Sequence, residues 1–168
     1  MGWEPEIEEL RARERLAEAM GGPEKVARQH SRGKLDARAR IAGLVDAGSF
    51  REIGKIAGKG AYDADGKLTA LAPSNLIFGR ANIEGRPVVA SADDFTVRGG
   101  AADAAIKRKF EQCEAMAHTL KIPLIRMIDG TGGGGSVKTL ETIGATYVPA
   151  VPGWNDVVRN LETVPVVA

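Results

Sequence analysis

The densest chemical signal in the chain is Asp129-Gly130-Thr131-Gly132-Gly133-Gly134-Gly135-Ser136. An apolar stretch, Pro123 to Ile128, precedes it and reads as a buried strand. A helical stretch, Val137 to about Tyr147, follows. Consecutive glycines cost stability, because glycine loses more backbone entropy on folding than any other residue. What they offer is close approach of backbone N–H groups to a negative atom, reinforced by the dipole of the following helix. Three chemistries use such a loop. A Walker-type phosphate loop fails residue by residue, since Lys138-Thr139 is preceded by Val137 and not by glycine. A dinucleotide fingerprint matches in form, as Gly130-x-Gly132-x-x-Gly135. Its acidic partner should end a second strand, whereas Asp156 falls in a helical stretch behind Pro149 and Pro152. An oxyanion hole for a thioester carbonyl asks only for N–H donors at a helix start.

Side-chain nucleophiles are scarce. His30 and His118 are far apart in sequence, and His118 lies late in a helix, where a solvated role is the default. Cys113 sits on an apolar helical stripe and reads as a small core residue. Asp93-Asp94 is either a carboxylate pair or a loop and helix-capping element. Lys107-Arg108-Lys109 is either a solvated face or a contact for phosphates.

These residues need a scaffold, and the composition supplies one. The chain has 168 residues, 43% hydrophobic and 27% charged, which fits one globular domain. Its net charge of +1 argues against nucleic-acid binding through bulk positive charge. One cysteine excludes an internal disulfide framework and a Cys-rich zinc site; no metal site is expected. The apolar runs fall far short of the roughly 18 residues of a membrane helix, and the acidic start is unlike a signal peptide. A cytoplasmic protein is the expectation. The 21 glycines exceed the ~7% of ordinary domains.

The elements follow from periodicity. Polar helices are expected over 6–20 and 24–30, and a third from Asp36, a fitting N-cap, burying Ile41, Leu44 and Val45. These form a helical N-terminal segment, residues 1–48. The remainder, 49–168, is of mixed character. It has a short strand at 49–53 and a loop over 57–75. Strands at 76–83 and 87–92 flank a Glu84-Gly85-Arg86 turn. A helix over 101–120 carries an apolar stripe from Ala102 to Leu120. The strand before the glycines comes next, then helices at 137–147 and 154–161, and a strand begins at Val164. The order from the hairpin is β-β-α-β-α-α-β.

Four segments carry a family resemblance. Lys34-Leu35-Asp36-Ala37-Arg38-Ala39-Arg40-Ile41 with Leu44-Val45-Asp46-Ala47-Gly48-Ser49-Phe50 resembles a "T-A-R-E-R-I…L-D-x-G-S-F-x-E" segment. Gly85-Arg86-Pro87-Val88-Val89 resembles a "G-R-x-V" hairpin. Asp94-Phe95-Thr96-Val97-Arg98-Gly99-Gly100 resembles "D-F-T-V-x-G-G". Pro123-Leu124-Ile125 through Asp129 and the glycines resembles "P-[VL]-I-x-L-x-D-S-G-G-A-R". Together they resemble the carboxyltransferase (beta) subunits of biotin-dependent acyl-CoA carboxylases, in the family's own order.

The resemblance implies an α/β crotonase-like superhelix of β-β-α units, present in part and preceded by the helical segment. It implies transfer of a carboxyl group from carboxybiotin, borne on a carrier partner loaded by a biotin carboxylase, to the α-carbon of an acyl-CoA, or the reverse. The enolate would be held by backbone N–H groups at Gly132, Gly133 or Gly134; the family loop is one residue shorter, so the register is open. Arg98, Gly99, Gly100 and Lys107 are the expected CoA contacts. Family members are homo-oligomers, hexamers in form, and carry a second domain that receives biotin. The chain is accordingly expected to be the front of a carboxyltransferase, incomplete alone and self-associating. Two other readings are a crotonase-like CoA-thioester enzyme without biotin and a non-catalytic interaction fragment. No nucleic acid or membrane partner is expected.

Overall fold

A computed structural model describes residues 2–100, 106–130, 140–141, 144 and 153–168, without the Lys107 side chain. Helix α1, Glu4–Glu18, opens with Pro5 in its first turn and Glu4 and Glu6 against the positive end of its dipole. It stops at Met20-Gly21-Gly22, where Met20 and Gly22 have φ of 52° and 96°. Helix α2, Pro23–Ser31, starts at once with proline at its N-terminus. Helix α3, Ala37–Leu44, is capped as its sequence predicts: the Asp36 carboxylate accepts the Ala39 N–H at 2.9 Å.

The centre is a five-stranded sheet in the order β1-β4-β5-β6-β7. Its strands are β1 (Arg51–Glu52), β4 (Leu76–Ile83), β5 (Arg86–Asp93), β6 (Leu124–Met127) and β7 (Val166–Val167). β4 pairs antiparallel with β1 and β5, while β5–β6 and β6–β7 are parallel. Ile83 faces Arg86, so the hairpin loop is two residues. Glu84 and Gly85 have φ of 51° and 76°, the type I′ signature. Both their N–H groups donate to the Asp46 carboxylate at 2.8 Å. The α3 exit thereby fixes the hairpin register.

Strand alternation decides the layers. Leu76, Phe78, Val89 and Leu124 project onto one face and meet Cys113 and Ala117 of helix α4, Lys107–Leu120. Ile77 and Ala92 face the other way onto Ala37 and Ile41 of α3. Val45 and Phe50 cover Ala81, Val88 and Ala90 beside them. Helix α5, Trp154–Thr163, packs against α4. The β4-β5-α4-β6 succession is the β-β-α-β order expected from the sequence.

Three expectations are corrected. Residues 57–75 are not a loop: β2 (Gly58–Tyr62) and β3 (Leu68–Pro73) form an antiparallel hairpin, held to α1 through the Arg13–Tyr62 contact. Helix α4 begins at Lys107 and not at 101, because Ile106 is extended (φ −81°, ψ 102°); residues 101–105, with Ala102, lie outside the described set. Strand β6 ends at Met127, and Ile128 is exposed. Most of the helix expected over 137–147 lies outside the described residues.

Helix α4 is pinned by two buried ionic networks. Glu114, 1% exposed, receives a two-pronged contact from Arg126 of β6 at 2.9 and 2.8 Å. Asn160 of α5 donates to the Glu114 carboxylate at 2.9 Å and to its backbone oxygen at 3.0 Å. In the first turn, Lys109 is buried with its Nζ 3.9 Å from Glu52, which also accepts from Arg38 at 2.8 and 3.3 Å. Burial drives the Lys109 amine down to about 8, against the pull of Glu52. Burial likewise pushes the Cys113 thiol up to about 12.

These two shifts act oppositely on stability. Above pH 8 folded Lys109 has lost its proton while the unfolded chain holds it to 10.5, so stability rises with pH. Above pH 9.0 the unfolded chain loses the Cys113 proton that the folded chain keeps, so stability falls. We expect urea unfolding to give a gain of about 1 kcal/mol between pH 8 and 9, from up to ~1.4 kcal/mol per pH unit for one proton. Lys109→Met should flatten that rise; a variant that keeps it would clear Lys109 of the effect.

Candidate functional site

β5 and β6 are parallel, so their carboxyl ends lie on the same edge, and each is followed by a glycine-bearing loop. The β5 loop starts with Asp94, which is buried. Its carboxylate accepts the Thr96 N–H at 2.9 Å and the Thr96 hydroxyl at 2.6 Å. Burial raises the Asp94 pKa, and the Thr96 hydrogen bonds oppose that rise. The Thr96 hydroxyl in turn accepts the Gly21 N–H at 2.9 Å, which ties the α1–α2 corner to this loop. The chain then turns through Arg98, Gly99 and Gly100, with φ of 52°, 65° and 68°.

This left-handed run brings Gly100 onto the β6 loop. A Cβ at Gly100 would lie 2.5 Å from the Asp129 carbonyl oxygen and 2.9 Å from the Gly130 Cα. Backbone therefore packs on backbone where the glycine run begins. Gly132, Gly133 and Gly134, the expected oxyanion donors, lie outside the described residues. Arg98, Gly99 and Gly100 stand at the junction, and Lys107 opens α4.

The carboxylates of the junction are structural. Gln29 Nε2 of α2 donates to Asp129 Oδ2 at 3.2 Å, and Arg40 Nη2 of α3 lies 3.5 Å from the same atom. Lys34 Nζ is 4.0 Å from Oδ1. The Asp129 N–H donates to Asp93 Oδ2 at 3.3 Å, and Arg40 Nη2 to the Asp93 carbonyl at 2.6 Å. Burial raises the Asp93 pKa, opposed by the Asp129 N–H and by Arg40. Of the two readings of Asp93-Asp94, the loop-building one fits: the carboxylates hold different loops and do not form a pair.

The other candidate side chains separate. His30 Nε2 lies 2.8 Å from Asp36 Oδ2, and His118 Nδ1 lies 3.3 Å from the Thr163 hydroxyl. Cys113 is a core residue, as its stripe predicts. Lys109 turns inward to Glu52 and is withdrawn from any phosphate, while Arg108 is exposed. Among the described residues no three His, Cys, Asp or Glu side chains could hold a metal ion.

A cleft of about 200 Å³ opens beside the junction, lined by Lys25, Arg28, Arg32, Phe95 and Arg98 among others. The α2 cations were missed from sequence. Their signal was the 25, 28, 32 spacing, which places three basic residues on one helical face.

The sequence pattern of the carboxyl transferase domain matches residues 28–149. The chain belongs to this family. It is 35% identical over 130 residues to the 12S subunit of methylmalonyl-CoA carboxyltransferase from Propionibacterium freudenreichii subsp. shermanii, covering 77% of this chain and 25% of that one. The mitochondrial propionyl-CoA carboxylase beta chain of Homo sapiens is 34% identical, covering 74% and 24%. A transcarboxylase 12S crystal structure, a hexamer with methylmalonyl-coenzyme A and methylmalonic acid bound, superimposes with a TM-score of 0.64 at 32% identity, covering 79% and 26%. A single-chain, multi-domain long-chain acyl-CoA carboxylase gives 0.72 at 26% identity, covering 96% and 16%. The chain thus spans about a quarter of the length of the curated relatives it matches. Its crotonase-like fold agrees with the expectation from the sequence.

The close approach of the two loops is directly testable. Gly33 and Gly100 have similar φ, 71° and 68°, but nothing lies within 4 Å of a Cβ at Gly33. Gly33→Ala should cost the ~1–2 kcal/mol of a left-handed alanine alone. Gly100→Ala should cost ~1–3 kcal/mol more, the scale of overpacking. Equal losses in urea denaturation would show that the loops do not press on each other.

Proposed function

We propose that this chain supplies the acyl-CoA side of a biotin-dependent carboxyl transfer, in the complete enzyme of which it forms part. The observation that carries the reading is the junction of the Arg98–Gly100 turn with Asp129–Gly130, at the carboxyl ends of two parallel strands. Open α/β sheets bind ligands at this edge. The glycine run follows Gly130 in the sequence, and in this reading the N–H groups of Gly132, Gly133 or Gly134 serve the thioester oxygen. They stabilise it most when it carries charge, as in the enolate. Arg98, Gly99, Gly100 and Lys107 take the CoA.

In the described part of the junction, the Asp93 carboxylate accepts the Asp129 N–H and the Asp129 carboxylate faces Gln29, Arg40 and Lys34. That suits a reaction whose base arrives with the second substrate. Carboxybiotin on a carrier partner supplies the carboxyl group as CO2 and, once released from it, the base for the α-proton. The chain's share is to bind the thioester, to hold the enolate oxygen and to keep the α-carbon facing the incoming carboxyl group. The N–CO2 bond of carboxybiotin would break first, the freed ureido nitrogen would take the α-proton, and the enolate carbon would then form the new C–C bond to the released CO2. Cytoplasmic location and assembly of several copies belong to the same proposal; among the described residues no helix is long and apolar enough to cross a membrane.

Gly133→Val in the enzyme assembled with its biotin-bearing partner should lower turnover ~10²–10³-fold, the scale of one lost oxyanion donor. Unchanged turnover in a folded variant would remove the glycine run from the reaction.

A further inference from the structure

Arg40 of α3 is a single side chain that serves both loops. Its Nη2 donates to the Asp93 carbonyl at 2.6 Å, where β5 ends. The same nitrogen lies 3.5 Å from Asp129 Oδ2, where the glycine-bearing β6 loop begins. Both side chains are only 19% exposed, so salt and water screen their attraction less than they would on an open surface.

The two loops depend on Arg40 unequally. The β5 loop carries its own lock: Asp94 accepts from the Thr96 N–H and hydroxyl, and Thr96 accepts from Gly21. None of these bonds involves Arg40. Among the described residues the Asp129 carboxylate has no partner in its own loop. It is held from outside, by Gln29 Nε2 at 3.2 Å, by Arg40 and by Lys34 at 4.0 Å. Gly130 comes next, and a Cβ there would lie 3.2 Å from the Gly100 carbonyl oxygen. A shift of Asp129 therefore moves the entrance of the glycine run against the β5 loop.

Charge adds a second dependence. Asp93 and Asp129 put two carboxylates at the entrance to a loop that, on the acyl-CoA reading, receives a developing negative charge. A carboxylate left without its cation in such a partly buried place opposes that charge. Arg40 lies closer to Asp129 than Lys34 does. An interaction with charge that appears only in the transition state changes turnover and not ground-state binding.

We infer that Arg40 is a positioning residue for the carboxyl transfer: it fixes the entrance of the glycine run against the β5 loop and neutralises the Asp129 carboxylate there, so that its loss falls on turnover and not on acyl-CoA affinity. This rests on the acyl-CoA reading and adds to it a residue that acts through Asp129.

The test is steady-state kinetics of the enzyme assembled with its biotin-bearing partner, with acetyl-CoA, propionyl-CoA and palmitoyl-CoA as acyl substrates. Arg40→Met should lower kcat about 10–100-fold, the scale of an ångström's misplacement. KM for the acyl-CoA should change by less than about threefold, as for a residue outside the binding contacts. Arg40→Lys keeps the charge but loses the planar fork, and should recover part of the loss. Asp129→Asn added to Arg40→Met should also recover part: the carboxylate is gone, while the amide oxygen can still accept from Gln29. Circular dichroism and urea midpoints identify the folded variants; if Arg40→Met does not fold, Arg40→Lys carries the same comparison of kcat with KM. A folded Arg40→Met with unchanged kcat, a KM that rises as far as kcat falls, or a double variant no faster than Arg40→Met overturns the inference. Each leaves the acyl-CoA reading standing, because Gly133→Val tests that separately. A parent enzyme that carboxylates none of the three thioesters overturns both.

Discussion

Two adjacent parallel strands must end on the same edge of their sheet, and in this chain that edge is where both glycine-bearing loops leave. The pairing of Val89 with Leu124 through Ala92 with Met127 sets the edge to within a residue. Everything at the junction inherits that register. A slip of one residue would turn Leu124 from α4 to α3 and lift Asp129 off Asp93. The Gly100 contact is possible only because Gly100 carries no side chain where it meets the Asp129 carbonyl and Gly130. The three N-terminal helices and their connections then close over this edge through Gly21, Gln29, Lys34 and Arg40. They form part of the site's architecture and are not an appendage of the sheet.

The register needs something stiffer than apolar contact, which tolerates sliding. The buried charges of α4 supply it. Glu114 joins a helix, a strand and a second helix through Arg126 and Asn160, and Glu52 joins β1, α3 and α4 through Arg38 and Lys109. Removing one partner of a buried pair typically costs 3–5 kcal/mol, although replacing the whole pair by apolar groups is often harmless. Their value here is directional: each carboxylate accepts a fork from one arginine, so only one placement of the helix satisfies it. Asn160 Oδ1, buried without a partner, shows that the Glu114 network gives up some polar satisfaction for that geometry.

Much of this was legible in the sequence because the signals were periodic. Loose alternation in β4, the Val-rich run of β5 and the Glu84-Gly85-Arg86 turn between them gave the hairpin. Asp36 marked the start of α3, and the stripe through Phe110, Cys113 and Ala117 gave the buried side of α4. The β2–β3 hairpin was not legible for a physical reason. β2 is largely exposed on both sides, so no period-two pattern can appear, and its glycines look like loop composition. Gly58 is required there because a side chain would collide with the Ala72 carbonyl. At the site, the strand–glycine–helix order was readable, but the inward turn of Lys109 was not. A run of three basic residues gives no hint that one of them finds a buried carboxylate from a distant strand.

Cys113 has a consequence of its own. The chain's one thiol is 2% exposed and held protonated by its surroundings. It sits where α4 meets Phe78 and Leu124, at the middle of the unit that fixes both loops. Alkylating reagents need a thiolate that is both ionised and reachable, and this one becomes so only when the helix lifts from the sheet. The residue is thus a built-in stopwatch for breathing of the core. The rate at which it is labelled reads the opening free energy of the α4 layer directly, without any introduced probe.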